Sequence, residues 1–395
     1  MCFTKLKAAL RWLTAFALSA ASSSALADYT LNMPKGATDI SGEVYGLHML
    51  LFWVCVGIGI VVFSAMIVSI ILHRRSRNPE PAKWHHNTTV EVIWTTIPFI
   101  ILIVVAIPAA RTLIKMEDFR QSDISIKVTG IQWKWKYDYL LHDENGQERG
   151  FGFYSTLDAE SNRIRQTRSG LDPWSKENYL LEVDNPLVVP VGKKVRLLLT
   201  AADVIHAWWV PEFAVKKDAI PGYINEIWFR VTKPGIYRGQ CAELCGRDHA
   251  FMPIVVHAVP EEEYEAWVRE QQEKAGVLAS ADGEAAAAEP QEWNMEYAMR
   301  QGEKVYTQMC ASCHMATGEG LAAAGYPALK GSAIATGDLA AHLDIVLHGK
   351  PNTAMMAFGG LMSDEDIAAV VTYERNAWGN DTGDLVEPSD IAAAR

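Results

Sequence analysis

Three hydrophobic patterns follow one another along the chain, and each predicts a different kind of element. The first is continuous: "MLLFWVCVGIGIVVFSAMIVSIIL" at 49–72 carries no charge, and "VIWTTIPFIILIVVAIPAA" at 92–110 is nearly as long. A bilayer core needs roughly 20 apolar helical residues, so both runs predict membrane spans. Pro98 and Pro108 are tolerable where neighbouring helices satisfy the freed carbonyls. The earlier run "WLTAFALSAA" is too short to span. It follows Lys5, Lys7 and Arg11 and leads to Ala25-Leu26-Ala27, which predicts a signal peptide over 1–27 that is removed together with Cys2. Arg74, Arg75, Arg77 and Lys83 lie between the two spans and predict a cytoplasmic loop, so everything after about Lys115 is expected outside the cytoplasm.

The second pattern is alternation. "ISIKVTGIQWKWKYDYLL" alternates apolar with polar positions, "LVVPVGKKVRLLLTAADVIHAWWV" reads as strands around a Gly192 turn, and "INEIWFRVTKPGIYRGQC" contains a Pro-Gly turn. Short strands with such turns predict a sandwich or Greek-key barrel from Ile124 to about Pro260. Trp133, Trp135, Tyr137 and Tyr139 are expected on one strand face. The third pattern is helical. "EEEYEAWVREQQEKAGVL" reads as an exposed helix, "ASADGEAAAAEPQ" as a linker, and "DEDIAAVVTYERNAW" as an amphipathic helix with Ser363 at its N-cap.

Composition refines this picture. A chain of 395 residues exceeds one ordinary core, and its 49% hydrophobic content suits a partly membrane-embedded protein. The net charge of −11 argues against a nucleic-acid partner and leaves room for a basic protein partner.

The chemistry concentrates in "QCAELCGRDHAFMP", residues 240–253, where Cys241, Cys245, His249 and Met252 crowd one turn. His206, at a predicted strand end, can join them at the rim of a small barrel. A disulfide or a Cys2His2 zinc site would use only part of this set. Thiolate, imidazole and thioether together suit copper, and two cysteines four apart allow both sulfurs to bridge two coppers. Further on, Cys310-Ala-Ser-Cys313-His314 is the attachment motif of a c-type haem, with His314 as an iron ligand.

"VIHAWWVP" with "PGIYRGQCAELCGRDHAFMPIVV" resembles subunit II of haem–copper cytochrome c oxidases, from the hairpin through residue 260. The resemblance implies a cupredoxin domain carrying the binuclear CuA centre. Cys241 and Cys245 would bridge, His206 and Met252 would complete one copper, and His249 with the Glu243 carbonyl the other. It further implies that the Glu243 carboxylate shares a magnesium with subunit I. Trp133 matches the exposed tryptophan through which electrons arrive, and Glu91 the acid at the mouth of a proton-uptake channel. The segment from Trp293 to Gly379 resembles a class I cytochrome c, with Pro327 supporting His314 and Met355, rather than Met356, opposite it on iron.

Together these imply subunit II of a caa3-type oxidase in a bacterial plasma membrane. A two-helix transmembrane hairpin (28–115), an all-β cupredoxin Greek-key barrel (116–260), a helix and linker (261–292), an all-α cytochrome c domain (293–379) and a tail (380–395) would follow the signal peptide. The expected partners are subunit I, subunit III, membrane lipid and a periplasmic cytochrome c as donor. The chain has no cluster of intramembrane histidines for haem a, so it is not expected to be the whole oxidase. Two rival readings are a membrane-anchored copper chaperone and an electron relay to nitrous or nitric oxide reduction. Gly246 after the CxxxC, in place of a proline, together with the β surroundings, counts against the first.

Overall fold

The computed structural model describes residues 32–80, 85–142, 145–147, 149–165, 169–275, 292–322, 325–351, 353 and 355–395. The signal peptide, Lys83 and the Ala/Glu/Gly linker fall outside the described residues. The chain divides into two units, a membrane hairpin and everything C-terminal to it.

In the hairpin, α1 (Asp39–Leu72) and α2 (Thr88–Met116) are each long and apolar enough to cross a membrane. Ile60, Phe63, Phe99 and Leu102 stand exposed along them, which suits side chains whose solvent is lipid. Both helices outrun the apolar runs that predict them, because backbone hydrogen bonding continues through polar turns that hydropathy does not mark. The side chain of Asn87 accepts from the Thr89 and Val90 amides and so caps α2, placing Glu91 in its first turn.

The second unit opens with a sandwich of two five-stranded sheets. The first sheet comprises β1 (Ile124–Ile131), β2 (Lys134–Tyr139), β3 (Phe151–Ser155), β5 (Val195–Ala201) and β8 (Asn225–Phe229), in the order β3-β2-β1-β5-β8. The second comprises β4 (Leu187–Pro190), β6 (His206–Val210), β7 (Val215–Ala219), β9 (Gly235–Cys241) and β10 (Pro253–Val259), in the order β4-β10-β9-β6-β7. Period-two burial is clean in β5, where Val195, Leu197 and Leu199 are fully buried. Trp135, Tyr137 and Tyr139 share the buried face of β2, as alternation predicts. Trp133 does not belong to that strand. It sits with Gln132 in the turn joining β1 to β2.

Two expectations are corrected here. Beyond the short α3 (Ala159–Ile164), helix α4 (Glu261–Lys274) is acidic yet not free-standing: Tyr264 is buried, and Trp267 packs on Tyr139, Phe151 and Phe153. Residues 380–395, expected as a tail, are packed into the C-terminal helical domain, where Val386 and Ile391 are fully buried. That domain consists of α5 (Met295–Met309), α6 (Ala311–His314), α7 (Leu339–His348), α8 (Asp364–Asn376) and α9 (Pro388–Ala394). Ser363 caps α8 by accepting from the Asp366 amide, as expected.

Helices α5 and α8 cross at Gly302, where an added Cβ would meet the Ala369 carbonyl and stand 2.6 Å from Tyr373 Cβ. Neither backbone can yield without opening the buried layer of Ile367, Val370 and Val371. Gly302→Ala is therefore expected to destabilise the helical domain by about 1–3 kcal/mol. Chemical denaturation of the full chain checks this, and an unchanged midpoint would refute the tight crossing.

Candidate metal centre and haem attachment site

Sheet pairing brings the sulfur and nitrogen donors together. Strands β6 and β9 pair through Trp208 and Cys241, which sets His206 and Cys241 at the same rim of the second sheet. Chain reversal between β9 and β10 carries the remaining donors, and the Cys241 amide closes it by donating to the Met252 carbonyl at 3.0 Å. His206, Cys241, Cys245 and Met252 are all buried; His249 is half-buried, and Glu243 is exposed.

The two sulfurs lie 3.8 Å apart, unbonded. Cys241 Sγ is 3.9 Å from His206 Nδ1 and 3.4 Å from the Glu243 carbonyl oxygen, while Cys245 Sγ is 3.5 Å from His249 Nδ1. Ligand atoms of His206, Cys241 and Cys245 fall within 4.8 Å of one another; His249 stands outside that group. A tetrahedral zinc would draw both imidazoles and both thiolates around one point. Here each sulfur faces its own imidazole, and the donor set fits two soft metals sharing two sulfurs.

Electrostatics favours the same use. The hydrogen bond between the sulfurs pushes the Cys241 thiol down and the Cys245 thiol up, so the pair gives its first proton readily and its second reluctantly. A cation between the sulfurs removes that reluctance. His206 Nε2 is 2.9 Å from Asp203 Oδ1, which fixes the ring with Nδ1 toward sulfur. Burial alone would lower the His206 pKa; the Asp203 carboxylate and the Cys241 sulfur together outweigh it and raise the pKa. Asp203 also accepts the Gln132 amide through its other oxygen at 2.7 Å. Gly130, on β1, leaves room for the imidazole: a Cβ there would stand 2.7 Å from His206 Cδ2.

The haem motif lies at the end of α5. Cys310 closes that helix, Cys313 and His314 form the next short one, and the His314 Nδ1 donates to the Pro327 carbonyl at 2.8 Å. Among the described residues nothing hydrogen-bonds His314 Nε2, so this nitrogen is available to iron. Met355 and Met356 both pack, partly buried, on the helical core. The motif's local geometry therefore fits a covalently held haem.

Trp133 departs from expectation. Rather than standing exposed, it is 7% accessible, with its Nε1 donating to the Cys245 carbonyl at 3.2 Å and the Arg247 guanidinium 5.4 Å above its ring. Gln132 Nε2 donates to the same carbonyl at 2.7 Å. Sequence reasoning passed over Asp203, Gln132 and Asp248; the last is buried between Arg165 and Arg247. An acid three residues before a ligand histidine was the available signal for Asp203.

A two-sheet domain with a Cys–His metal loop, set between a membrane hairpin and a helical haem-binding domain, defines a membrane-anchored electron-transfer protein. Residues 124–259 match the sequence profile described as cytochrome C oxidase subunit II, periplasmic domain, and residues 27–111 match its transmembrane domain. Residues 297–373 match cytochrome C oxidase, cbb3-type, subunit III. A probable cytochrome c oxidase subunit 2 of Rickettsia bellii (strain RML369-C) is 40% identical over 232 residues, 59% of this chain and 80% of that one. Cytochrome c oxidase subunit 2 of Cereibacter sphaeroides is 35% identical over 240 residues, 59% of this chain and 78% of that one. The periplasmic domain of subunit II of cytochrome oxidase from Bradyrhizobium japonicum is 44% identical, covering 39% of this chain and 96% of that one, with a TM-score of 0.32. The chain belongs to the cytochrome c oxidase subunit II family and carries a cytochrome c domain in addition. Its work is electron transfer within a respiratory oxidase, and membership implies copper, haem and a subunit I partner.

Because Asp203 both orients His206 and anchors the β1–β2 turn, Asp203→Ala is expected to weaken copper binding about 10- to 100-fold while sparing both thiols. Competition titration against a chelator measures it; wild-type affinity would show that the imidazole needs no such support.

Proposed function

We propose that this chain is the electron-input subunit of a caa3-type oxidase, taking electrons from a periplasmic cytochrome c and passing them through a c-type haem and a CuA pair to subunit I, where oxygen is reduced to water. The observation that carries this reading is the pair of unbonded sulfurs 3.8 Å apart, each beside its own imidazole. When bound, the copper pair and the haem each supply a one-electron site. Cys241 and Cys245 would hold the copper pair together with His206, Met252, His249 and the Glu243 carbonyl. Rigid donors held by sheet pairing and by Asp203 keep rearrangement on electron transfer small.

Cys310 and Cys313 would hold the haem covalently, and its iron would be held by His314, whose ring Pro327 fixes, and by Met355. Thioether ligation raises the reduction potential and closes the iron to oxygen. The exposed Glu243 carboxylate is suited to a magnesium shared with subunit I. Glu91, in the first turn of α2, is assigned to proton uptake. Trp133, hydrogen-bonded to the Cys245 carbonyl, is assigned to the electron path. The basic loop bearing Arg74, Arg75 and Arg77 supports a two-pass arrangement in a bacterial plasma membrane, with the C-terminal domains periplasmic and subunit III as a further neighbour.

Purification in mild detergent tests the whole reading. Two coppers and one covalent haem per chain, haem a in a copurifying subunit I and oxygen consumption are expected. A single zinc per chain, or copurification with a nitrous or nitric oxide reductase, would defeat it. Cys245→Ser is expected to abolish the two-copper, mixed-valence signal outright in electron paramagnetic resonance, and a retained signal would show that one thiolate suffices. Met355 replacement is expected to lower the haem potential and remove the weak long-wavelength sulfur-to-iron band, whereas Met356 replacement leaves the band. The reverse pattern would move the ligand by one residue.

A further inference from the structure

Alternation along β2 predicts that Lys134 faces away from the sandwich core, yet it is only 2% accessible. What covers it is the helical domain. Lys134 Nζ donates to the Gln308 carbonyl at 2.9 Å and lies 3.4 Å from the Met309 carbonyl. These residues end α5 immediately before Cys310, where helix carbonyls lack intrahelical partners and the helix dipole is negative. A lysine ammonium supplies the missing donors and the matching charge.

The neighbouring side chain points to the other redox site. Trp133, one peptide away, donates to the Cys245 carbonyl. Two consecutive residues, Trp133 in the turn and Lys134 at the start of β2, thus join the metal loop to the haem-attachment segment. A second connection runs alongside. The Arg247 guanidinium lies 5.4 Å from the Trp133 ring centre and 4.5 Å from that of Tyr326, the residue before Pro327, which holds His314. Cys313 and Tyr326 pack against the sandwich core, and on the far strand Tyr154 OH donates to the Leu361 carbonyl at 3.2 Å.

We infer that Lys134 is a positioning residue for transfer between the two redox sites, seating the haem-attachment segment on the β1–β2 turn beside the metal loop. This face of the sandwich is thereby occupied by the chain's own haem domain. The inference rests on the electron-relay reading above. The step it serves moves one electron from the haem site to the copper site, with no bond, proton or co-reactant involved. Apolar packing alone would be served better by an uncharged side chain, since a buried ammonium forfeits its hydration. Its directed donors instead fix where the carbonyls before Cys310 sit.

The intact oxidase provides the test. In a pulse of N-hydroxysuccinimide ester followed by mass spectrometry, Lys134 is expected to be acylated roughly tenfold or more slowly than the exposed Lys127. Burial pulls the Lys134 ammonium down to about 8, so slow labelling would report lack of access and not protonation. Equal labelling of the two lysines would overturn the seating. After flash reduction of the haem, Lys134→Ala is expected to slow electron arrival at copper about tenfold or more, with the absorption of both centres unchanged. Lys134→Arg keeps charge and donors and is expected to recover part of the rate. A wild-type rate in Lys134→Ala, or no recovery in Lys134→Arg, would overturn the positioning role. If the unsubstituted protein lacked copper or haem absorption, the relay reading would fall instead, so the two failures are distinguishable.

Discussion

A single backbone hydrogen bond, from the Cys241 amide to the Met252 carbonyl, governs the metal loop. It closes the chain between β9 and β10, so the loop's donors project from a fixed ring rather than a free hairpin. The pairing of β6 with β9 then adds His206 from a different part of the chain, and Asp203 orients its ring. Loops usually trade rigidity for adaptability. This one is pinned at its base by sheet pairing and at its middle by Gln132 and Trp133, both donating to the Cys245 carbonyl. A redox site that must change charge without changing shape requires such restraint.

Much of the site was legible because metal chemistry admits few residue types. Two cysteines four apart with His249 and Met252, or CxxCH ending at His314, leave little freedom of interpretation. The hairpin was legible for a similar reason, since few sequences other than spans sustain such apolar runs. What escaped depends on contacts between distant segments. Binary pattern places Lys134 on the outer face of its strand; only the helical domain, whose contacting residue is 174 positions away, turns that face into an interior. Trp133 was expected to be exposed because its sequence neighbours give no sign of Arg247 lying over the ring. Acid-rich α4 looked solvated because charged side chains dominate its sequence, while Tyr264 and Trp267 do the packing. Segment 380–395 lacks a long periodic stretch, so the burial of Val386 and Ile391 was invisible locally.

The same long-range logic gives the helical domain a closed form. Trp293, just before its first helix, donates through Nε1 to the carbonyl of Val386, just before its last. The first and last parts of the folded segment are thus neighbours in space. A domain whose ends meet can be joined to another protein by one stretch of peptide without stretching its core. Such a domain needs adaptation to its neighbour only on the faces that touch, leaving its own interior unaltered.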